Sequence, residues 1–380
     1  MGDLIIASSP FGQQGAYHTR YHSKGTGYSQ KPSRQLKIME NAVDKVNVAI
    51  VGATGAVGEV MLEILEERQF PVDELVLLAS EKSAGKTLQF KGKSIRVENL
   101  ATFDFSHTHI GLFSAGGSVS AKYAPLAASQ GCVVIDNTSC FRRDPEIPLV
   151  VPEVNPARIA DYGVRNIIAN PNCSTIQMLV ALKPIQDAVG IARINVCTYQ
   201  AVSGTGKRGV EELAGQTARL LNGQEIERKV YTKQIGFNAI PHIGNFEDNG
   251  YTNEEMKMVW ETHKILEDES IQVNPTCVRI PVFYGHSEAV HIQTRAPLSA
   301  AAARELLSRA PGVTLIDEAV DGGYPTAVSD SAGKDPVFVG RLRQDISAPN
   351  GLNMWVVSDN VRKGAALNSV QIAENLLKRL

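Results

Sequence analysis

The chain has 380 residues, of which 43% are hydrophobic and 21% charged, an ordinary globular composition at a length typical of about two domains. Its 38 Lys and Arg residues nearly balance 40 Asp and Glu residues, and this net charge of −2 excludes an overall basic field for nucleic acid or an anionic membrane. No apolar run approaches the ~18–20 residues of a membrane span, and five cysteines are not a disulfide framework, so we expect a soluble protein of a reducing compartment.

Residues 1–43 differ from the rest of the chain. They are rich in Gly, Ser, Gln and Tyr, carry more basic than acidic residues, and show no periodic apolar face. This composition predicts a disordered extension on a cytoplasmic protein. A Ser-rich, acid-poor segment also fits an organelle transit segment, so an organellar location stays open. A secretory signal peptide is not indicated, because no compact apolar segment follows the basic residues.

Short apolar strands alternate with helical patterns between residues 44 and 172. Strands are predicted over residues 46–51, 74–79, 110–113, 133–135 and 166–169, and a helix follows the first. This alternation predicts an α/β fold with a doubly wound parallel sheet of the Rossmann type. Ligands of such sheets bind at the carboxyl ends of the strands.

The pattern changes after residue 172. Longer strands are predicted over residues 191–202, 276–283 and 289–294, with helices at about 207–221 and 253–267 between them. We expect a second, α+β domain with a larger, antiparallel sheet. The final segment, residues 360–380, is predicted to be helical and to pack back on the first domain.

A glycine-rich turn joins the first strand to its helix. It reads GATGAVG over residues 52–58, which is a G-x-x-G-x-x-G variant of the dinucleotide-binding fingerprint. Glycine lets the backbone approach a pyrophosphate, and a helix N-terminus offers free N–H groups to it. The turn therefore predicts a dinucleotide site, with a plain tight turn as the alternative.

The end of the second strand bears on the choice between NAD and NADP. NAD-binding proteins usually place an acidic residue there, but this chain has Ser80. Lys82 and the hydroxyls of Ser80 and Ser83 can hold a 2′-phosphate. Glu81 opposes this interpretation unless its side chain points away. The sequence favours NADP.

Cys173 is expected at the start of a helix. Pro171 and Asn172 end the preceding strand, and Ser174 or Thr175 can satisfy free N–H groups of the first turn. The positive end of a helix favours a thiolate, so Cys173 is a candidate nucleophile. Three of the remaining cysteines lie in apolar strands, where a thiol is a small hydrophobic group: Cys132, Cys197 and Cys277. The fourth, Cys140, lies in a loop.

A nucleotide domain and an activated cysteine together predict an aldehyde-oxidising enzyme. A thiolate adds to an aldehyde, hydride leaves for the nicotinamide, and an incoming group cleaves the resulting thioester. The chemistry needs an acid or base near the sulfur. His286 is favoured, since Ser287 and Glu288 could orient its ring, and His242 is the alternative. No metal site is predicted.

Eight blocks resemble one known family: GATGAVG, NTSCFR, VVPEVN, NPNCST, YQAVSGTGKRG, FNAIPHIGNFEDNGYTNEEMKM, RIPVFYGHSEAV and SDNVRKGAALN. Over residues 44–380 the chain resembles aspartate-semialdehyde dehydrogenase of the bacterial branch. The resemblance implies reversible conversion of aspartate 4-semialdehyde, phosphate and NADP to 4-aspartyl phosphate and NADPH, for lysine, methionine and threonine biosynthesis. It implies a homodimer, an NADP-binding domain over residues 44–172 plus 357–380, and a catalytic and dimerisation domain over residues 173–356.

The resemblance also implies catalytic roles. Cys173 is the nucleophile, His286 the acid/base, and Gln200 the residue that orients the thioester-forming centre. Arg279 is implied to hold the substrate carboxylate. Because Arg279 and His286 are seven residues apart, one straight strand would point them to opposite faces, so we expect a bend near Gly285.

Three further residues match substrate positions of the family. Arg142 matches a phosphate-site arginine, and a guanidinium fork suits a tetrahedral oxyanion. One of Glu254 and Lys257 is implied to contact the substrate amine and the other the phosphate. From the residues alone, these two would be an exposed ion pair opposite the apolar face of their helix. That face is predicted at Met256, Val259, Trp260 and His263.

The implied cofactor positions lie in several blocks. They are Gly52, Thr54, Gly55, Ala56, Val57, Gly58, Ser80, Lys82, Ser83, Ser114, Ala115, Gly116, Ser203, Gly204, Gly206 and Asn360. The family often has Arg where Lys82 stands, so NADP preference is expected to be looser.

Two alternatives remain. An N-acetylglutamyl-phosphate reductase would share the chemistry, but a free substrate amine, rather than an acylated one, needs an anionic partner such as Glu254. A non-catalytic nucleotide-binding relative is expected to lose the thiol or the histidine, whereas Cys173 and His286 are both present.

Overall fold

A seven-stranded sheet lies in the first half of the part that the computed structural model describes, residues 45–379. The predicted extension over residues 1–43 lies outside the described residues. The strands are β1 (Val46–Val51), β2 (Val72–Ala79), β3 (Thr87–Phe90), β4 (Lys93–Asn99), β5 (Ile110–Phe113), β6 (Val133–Asp136) and β7 (Ile167–Ala169). Their order is β3-β4-β2-β1-β5-β6-β7, and all pairs except β3–β4 are parallel. The predicted doubly wound parallel sheet is confirmed.

Within residues 45–379, seven α-helices accompany the strands. They are α1 (Ala56–Glu67), α2 (Gly117–Ser129), α3 (Cys173–Val189), α4 (Lys207–Leu221), α5 (Asn253–Leu266), α6 (Ala300–Ser308) and α7 (Leu367–Leu377). Helices α1 and α7 pack on one face of the first sheet and α2 on the other, which explains why its central strands are apolar on both sides. The predicted C-terminal helix starts later than expected, because an irregular turn, Arg362–Ala366, precedes it.

A six-stranded sheet lies in the second half. Its strands are β8 (Ile191–Gln200), β9 (Gln272–Arg279), β10 (His286–Thr294), β11 (Val313–Leu315), β12 (Val337–Gln344) and β13 (Gly351–Ser358), in the order β11-β12-β13-β10-β8-β9. The three inner pairs are antiparallel, as predicted. The outer pairs β8–β9 and β11–β12 are parallel, so the prediction of an antiparallel sheet is wrong there.

Helix α3 lies between the two sheets. Ten of its 17 residues are buried, because one side meets the second sheet and the other faces continue the core of the first. One apolar core therefore runs from the first sheet through α3 to the second sheet. The N-terminus of α3 lies where the strand ends of both sheets converge, and this places Cys173. Across residues 45–379, no helix is both long and apolar enough to cross a membrane.

Candidate active site

Three predicted site residues meet at one end of the second sheet. Gln200 ends β8, and its direct partner in the parallel neighbour is Arg279, which ends β9. His286 begins β10 on the other side of β8, one step beyond the pair of Ser287 and Tyr199. All three are buried, at 1%, 5% and 0% exposure for Gln200, Arg279 and His286. Strand pairing alone thus brings an amide, a guanidinium and an imidazole together.

The predicted bend between Arg279 and His286 is present at Gly285. Its φ of +88° is a backbone conformation that favours glycine, and a Cβ there would lie 2.9 Å from the carbonyl oxygen of Ala327. The Gly285 N–H donates to Oδ1 of Asn360 at 3.0 Å, and the Asn360 amide also bonds the Ser203 hydroxyl. The bend starts a new strand, so Arg279 and His286 no longer lie on one straight segment.

Cys173 is the first residue of α3, as predicted. The helix cap differs from the expectation: Asn172, rather than Ser174 or Thr175, supplies the capping oxygen. Its Oδ1 accepts hydrogen bonds from the N–H groups of Ser174 (3.0 Å) and Thr175 (3.3 Å). A second constraint comes from Gly364 in the irregular turn, where an added Cβ would lie 2.8 Å from Cβ of Cys173. Sequence reasoning did not identify Gly364 as part of the site.

The electrostatics of Cys173 correct the expectation of a stabilised thiolate. Burial, and after it the nearby Glu254 carboxylate, raises the pKa of the Cys173 thiol to about 12. Arg279, Arg142 and Lys257 lower this pKa but do not compensate. Desolvation therefore outweighs the helix terminus, and in the free enzyme the thiol carries its proton at neutral pH.

His286 is held neutral. Burial and then the positive charge of Arg279 lower its pKa to about 3, with Glu254 acting in the opposite direction. The Ala201 N–H donates to Nδ1 of His286 at 2.9 Å, so the neutral ring carries its proton on Nε2. Nε2 has no hydrogen-bond partner and would lie 3.4 Å from a Cβ at Gly204. The free polar atom of His286 is thus a donor.

The two buried arginines each keep unpaired hydrogen-bonding capacity. Nη1 of Arg279 donates to the Ala201 carbonyl at 2.6 Å, and Arg142 donates from Nη1 to Glu261 (3.0 Å) and from Nη2 to the Asn137 carbonyl (2.8 Å). The Nε groups of both arginines are buried without a partner. Such fixed guanidinium groups are suited to bind carboxylate or phosphate oxygens.

Glu254 and Lys257 form the predicted ion pair, at 2.9 Å, but Glu254 is buried. The prediction of the apolar face was wrong: α5 turns Met258, Thr262 and Ile265 to the core, on the side of Glu254 and Glu261. Burial raises the pKa of Glu254, but Lys257, Asn172 and Arg279 outweigh it and hold the pKa at about 2. Glu254 is therefore a carboxylate, able to bind an ammonium group.

These side chains surround one cavity of about 510 Å³. Its walls include Cys173 and the predicted residues Gln200, Arg279, Arg142, Glu254, Lys257, Ser203, Gly204, Val57 and Asn360. His242, the alternative base, lies on the same wall and stacks on Phe246, with ring centroids 4.5 Å apart. His286 lies behind Gly204 and does not itself line the cavity.

A second pocket of about 540 Å³ lies at the carboxyl end of the first sheet. Among the predicted cofactor residues, it is lined by Gly52, Thr54, Gly55, Ser80, Ser114 and Ala115. A Cβ on Gly52 would lie 2.7 Å from the Ser114 carbonyl oxygen, so only glycine fits this turn. Gly55, the N-cap of α1, offers no side-chain oxygen to the first N–H groups, which leaves them for an anion. The pocket fits a dinucleotide.

The remaining cofactor candidates do not line this pocket. Gly58 is buried against the turn, since a Cβ there would lie 2.4 Å from the Gly52 carbonyl oxygen. Ala56 and Gly206 line a different cleft. Lys82 and Ser83 lie in the short turn after β2, and Gly116 caps α2 with a φ of +96°; these three do not line the pocket. Glu81, in contrast, does line it.

Within residues 45–379, no group of three or more His, Cys, Asp or Glu side chains is placed to hold a metal ion. All five cysteines are free, and Cys132 and Cys277 are buried as expected for structural residues.

Two family models match most of the described chain and define its class. "Semialdehyde dehydrogenase, NAD binding domain" matches residues 47–162, and "Semialdehyde dehydrogenase, dimerisation domain" matches residues 182–363. The class is therefore that of the semialdehyde dehydrogenases.

Individual relatives narrow the class. Aspartate-semialdehyde dehydrogenase 2 of Vibrio cholerae is 66% identical over 332 residues, which are 87% of this chain and 98% of that protein. A crystal structure of aspartate semialdehyde dehydrogenase II from Vibrio cholerae complexed with ASA matches with a TM-score of 0.87 at 65% identity, covering 88% of this chain and 99% of that one. The Candida albicans enzyme with NADP matches with a TM-score of 0.68 at 25% identity, covering 88% and 98%. The chain belongs to the aspartate-semialdehyde dehydrogenase family.

Proposed function

We propose that the chain catalyses the reversible, phosphorylating oxidation of aspartate 4-semialdehyde to 4-aspartyl phosphate with NADP. In cells the reaction would run as reduction, towards lysine, methionine and threonine. One observation carries the proposal: a single cavity joins Cys173 to Arg279, to Glu254 and to Arg142. These are a nucleophile and partners for a carboxylate, an ammonium group and a phosphate, which together match the substrates.

Binding of the substrates follows from the free groups of the cavity. The unpaired Nε of Arg279 is suited to the α-carboxylate, and the Glu254 carboxylate to the α-ammonium group. Arg142 and Lys257 offer positive charge to the phosphate. Gln200, whose Nε2 donates to the Ser174 hydroxyl at 3.0 Å, lies close to the first turn of α3 and would orient the reacting carbonyl.

The covalent steps use Cys173 and His286. The Cys173 thiol first loses its proton to solvent, and its sulfur then forms a bond to the aldehyde carbon. The carbonyl electron pair moves to oxygen, where the Nε2–H of His286 would stabilise it as a hydrogen-bond donor. NADP, when bound, supplies the oxidant for this carbon. A phosphate oxygen then attacks the thioester carbon, and the Cys173 sulfur leaves as the thiolate.

His286 acts first as a hydrogen-bond donor in this scheme. To accept the thiol proton at Nε2, the ring would have to move its own proton to Nδ1, where the Ala201 N–H already donates. Of the acid/base role that the resemblance implies, we therefore propose only hydrogen-bond donation from Nε2–H to the aldehyde oxygen in the first step.

The cofactor assignment rests on the second pocket and its surroundings. Ser80, rather than an acid, lines the pocket at the end of β2, and Lys82 follows in the next turn. The Candida albicans relative was solved with NADP. Glu81 on the pocket wall opposes a 2′-phosphate, which supports a loose preference for NADP over NAD.

We further propose a cytoplasmic homodimer with an NADP-binding domain over residues 44–172 plus 357–380. Helix α7 packs on the first sheet, and the match to a dimerisation model over residues 182–363 supports the assignment of 173–356 to catalysis and dimerisation. Light scattering at micromolar concentration should show twice the chain mass, and a monomer would contradict the dimer.

A spectrophotometric assay of NADPH formation tests the function. Turnover with aspartate semialdehyde should require phosphate, be faster with NADP than with NAD, and disappear in Cys173→Ala. Cys140→Ser, which removes an exposed thiol outside the cavity wall, is the matched control and should keep wild-type turnover. Activity only with N-acetylglutamate semialdehyde would transfer the chain to the sister reductases. NADP binding without turnover of either substrate would favour a non-catalytic relative.

A further inference from the structure

One buried carboxylate, Glu261, joins two separate parts of the candidate active site. It lies on α5, two turns after Glu254, and is 3% exposed. Its Oε1 accepts a hydrogen bond from Nη1 of Arg142 at 3.0 Å, and its Oε2 accepts one from the N–H of Asn172 at 2.6 Å. Each oxygen thus holds a different segment of the chain.

The two partners of Glu261 belong to different reaction components. Arg142 lies in the loop after β6 and is the candidate phosphate-binding cation. Asn172 caps α3 and immediately precedes Cys173. Glu261 therefore connects the phosphate side of the cavity to the start of the nucleophile's helix through a single side chain.

Helix α5 also holds the backbone of the Arg142 loop. The Lys264 ammonium group, three residues after Glu261, donates to the carbonyl oxygens of Arg142 (2.9 Å), Asp144 (2.6 Å) and Ile147 (2.8 Å). With both side chain and backbone tethered, Arg142 has little freedom to move. Arg142 thus lines the cavity in a fixed place, with its Nε unpaired.

We propose that Glu261 is a positioning residue that sets Arg142 relative to Cys173, so that bound phosphate lies within reach of the thioester carbon. The proposal rests on the proposed function above. Glu261 contacts Arg142 and Asn172 rather than substrate, so it acts through them. The geometry matters because reacting atoms must approach to ~3–3.5 Å, and about 1 Å of misplacement costs on the order of a hundredfold in rate.

Glu261→Gln tests the proposal by separating the KM values of the two substrates. The amide cannot accept at both positions, so one hydrogen bond from Arg142 or Asn172 is lost. Loss of a hydrogen bond to a charged group should raise the KM for phosphate about tenfold or more, while the KM for aspartate semialdehyde changes by no more than about twofold. In an Arg142→Ala background, Glu261→Gln should add little to the phosphate KM, because its route of action is already removed.

Glu255→Gln is the matched control on the same helix. Glu255 is also buried and, like Glu261, accepts one hydrogen bond at each carboxylate oxygen. Its donors are the backbone N–H groups of Thr252 and Cys277, and it bonds neither Arg142 nor Asn172. It should lower the melting temperature without moving the phosphate KM. If Glu261→Gln does not fold, Glu261→Asp serves, since its shorter side chain cannot span both partners.

Three results would overturn the proposal: an unchanged phosphate KM in folded Glu261→Gln, an equal rise in Glu255→Gln, or a full additive effect in the Arg142→Ala background. Each requires a wild-type enzyme with phosphate-dependent turnover. A wild type without that turnover would instead refute the proposed function, so the two failures are distinguishable.

Discussion

Gly364→Ala should reduce turnover by displacing Cys173. The Cβ of alanine would lie 2.8 Å from Cβ and 3.3 Å from Cα of Cys173, whereas carbon atoms pack best at about 3.5–4.0 Å. The irregular turn and the start of α3 must therefore separate by about 1 Å, since a backbone-fixed Cβ cannot rotate away. The φ of Gly364 lies outside the left-handed region, so the contact, rather than backbone strain, causes the effect.

The expected magnitude is a loss of kcat of about a hundredfold, which is the typical cost of moving a reacting atom by about 1 Å. Overpacking should also cost about 1–3 kcal/mol of the free energy of unfolding. Steady-state NADPH formation and thermal melting measure the two effects. Gly215→Ala is the matched control, because a Cβ there has no neighbour within 4 Å and it lies inside α4. A folded Gly364→Ala enzyme with wild-type kcat would refute the reasoning.

Three further predictions follow from charge. The rate at which iodoacetamide alkylates Cys173 in the free enzyme should rise about tenfold per pH unit between about pH 7 and 9. The reason is that the thiolate fraction rises with pH as long as the pH lies below the pKa of about 12. A plateau of the rate near neutral pH would contradict this prediction. Lys82→Ala should raise the KM for NADP but not for NAD. Glu81→Gln should lower the KM for NADP, because it removes a negative charge near the 2′-phosphate. Equal effects on the KM values of both cofactors would show that neither residue faces the 2′-phosphate.

Local sequence signals predicted the features that depend on neighbours in the chain. The apolar run at β1, the glycine turn after it and the Pro-Asn pair before Cys173 all lie where the sequence indicated. The sequence did not predict strands β12 and β13. A short apolar run, such as the start of β12, does not by itself distinguish a strand from a helix.

Features that depend on distant contacts were not predictable in this way. Glu254 is buried because it meets Asn172, which is 82 residues away in the sequence, and Glu261 meets Arg142 across 119 residues. The thiolate expectation for Cys173 failed for the same reason. A helix terminus is visible in the sequence, whereas the desolvation that raises the pKa arises from the packed fold.

The most direct test of the account is to trap the thioester. Enzyme mixed with aspartate semialdehyde and NADP without phosphate should form one NADPH per active site, measured before the quench. After the quench in acid, mass spectrometry should find one acyl group on the Cys173 peptide. Phosphate added before the quench should remove that group, and Cys173→Ala should give neither signal. Phosphate-dependent turnover without an acyl group, or with the acyl group on another residue, would contradict the central role of Cys173.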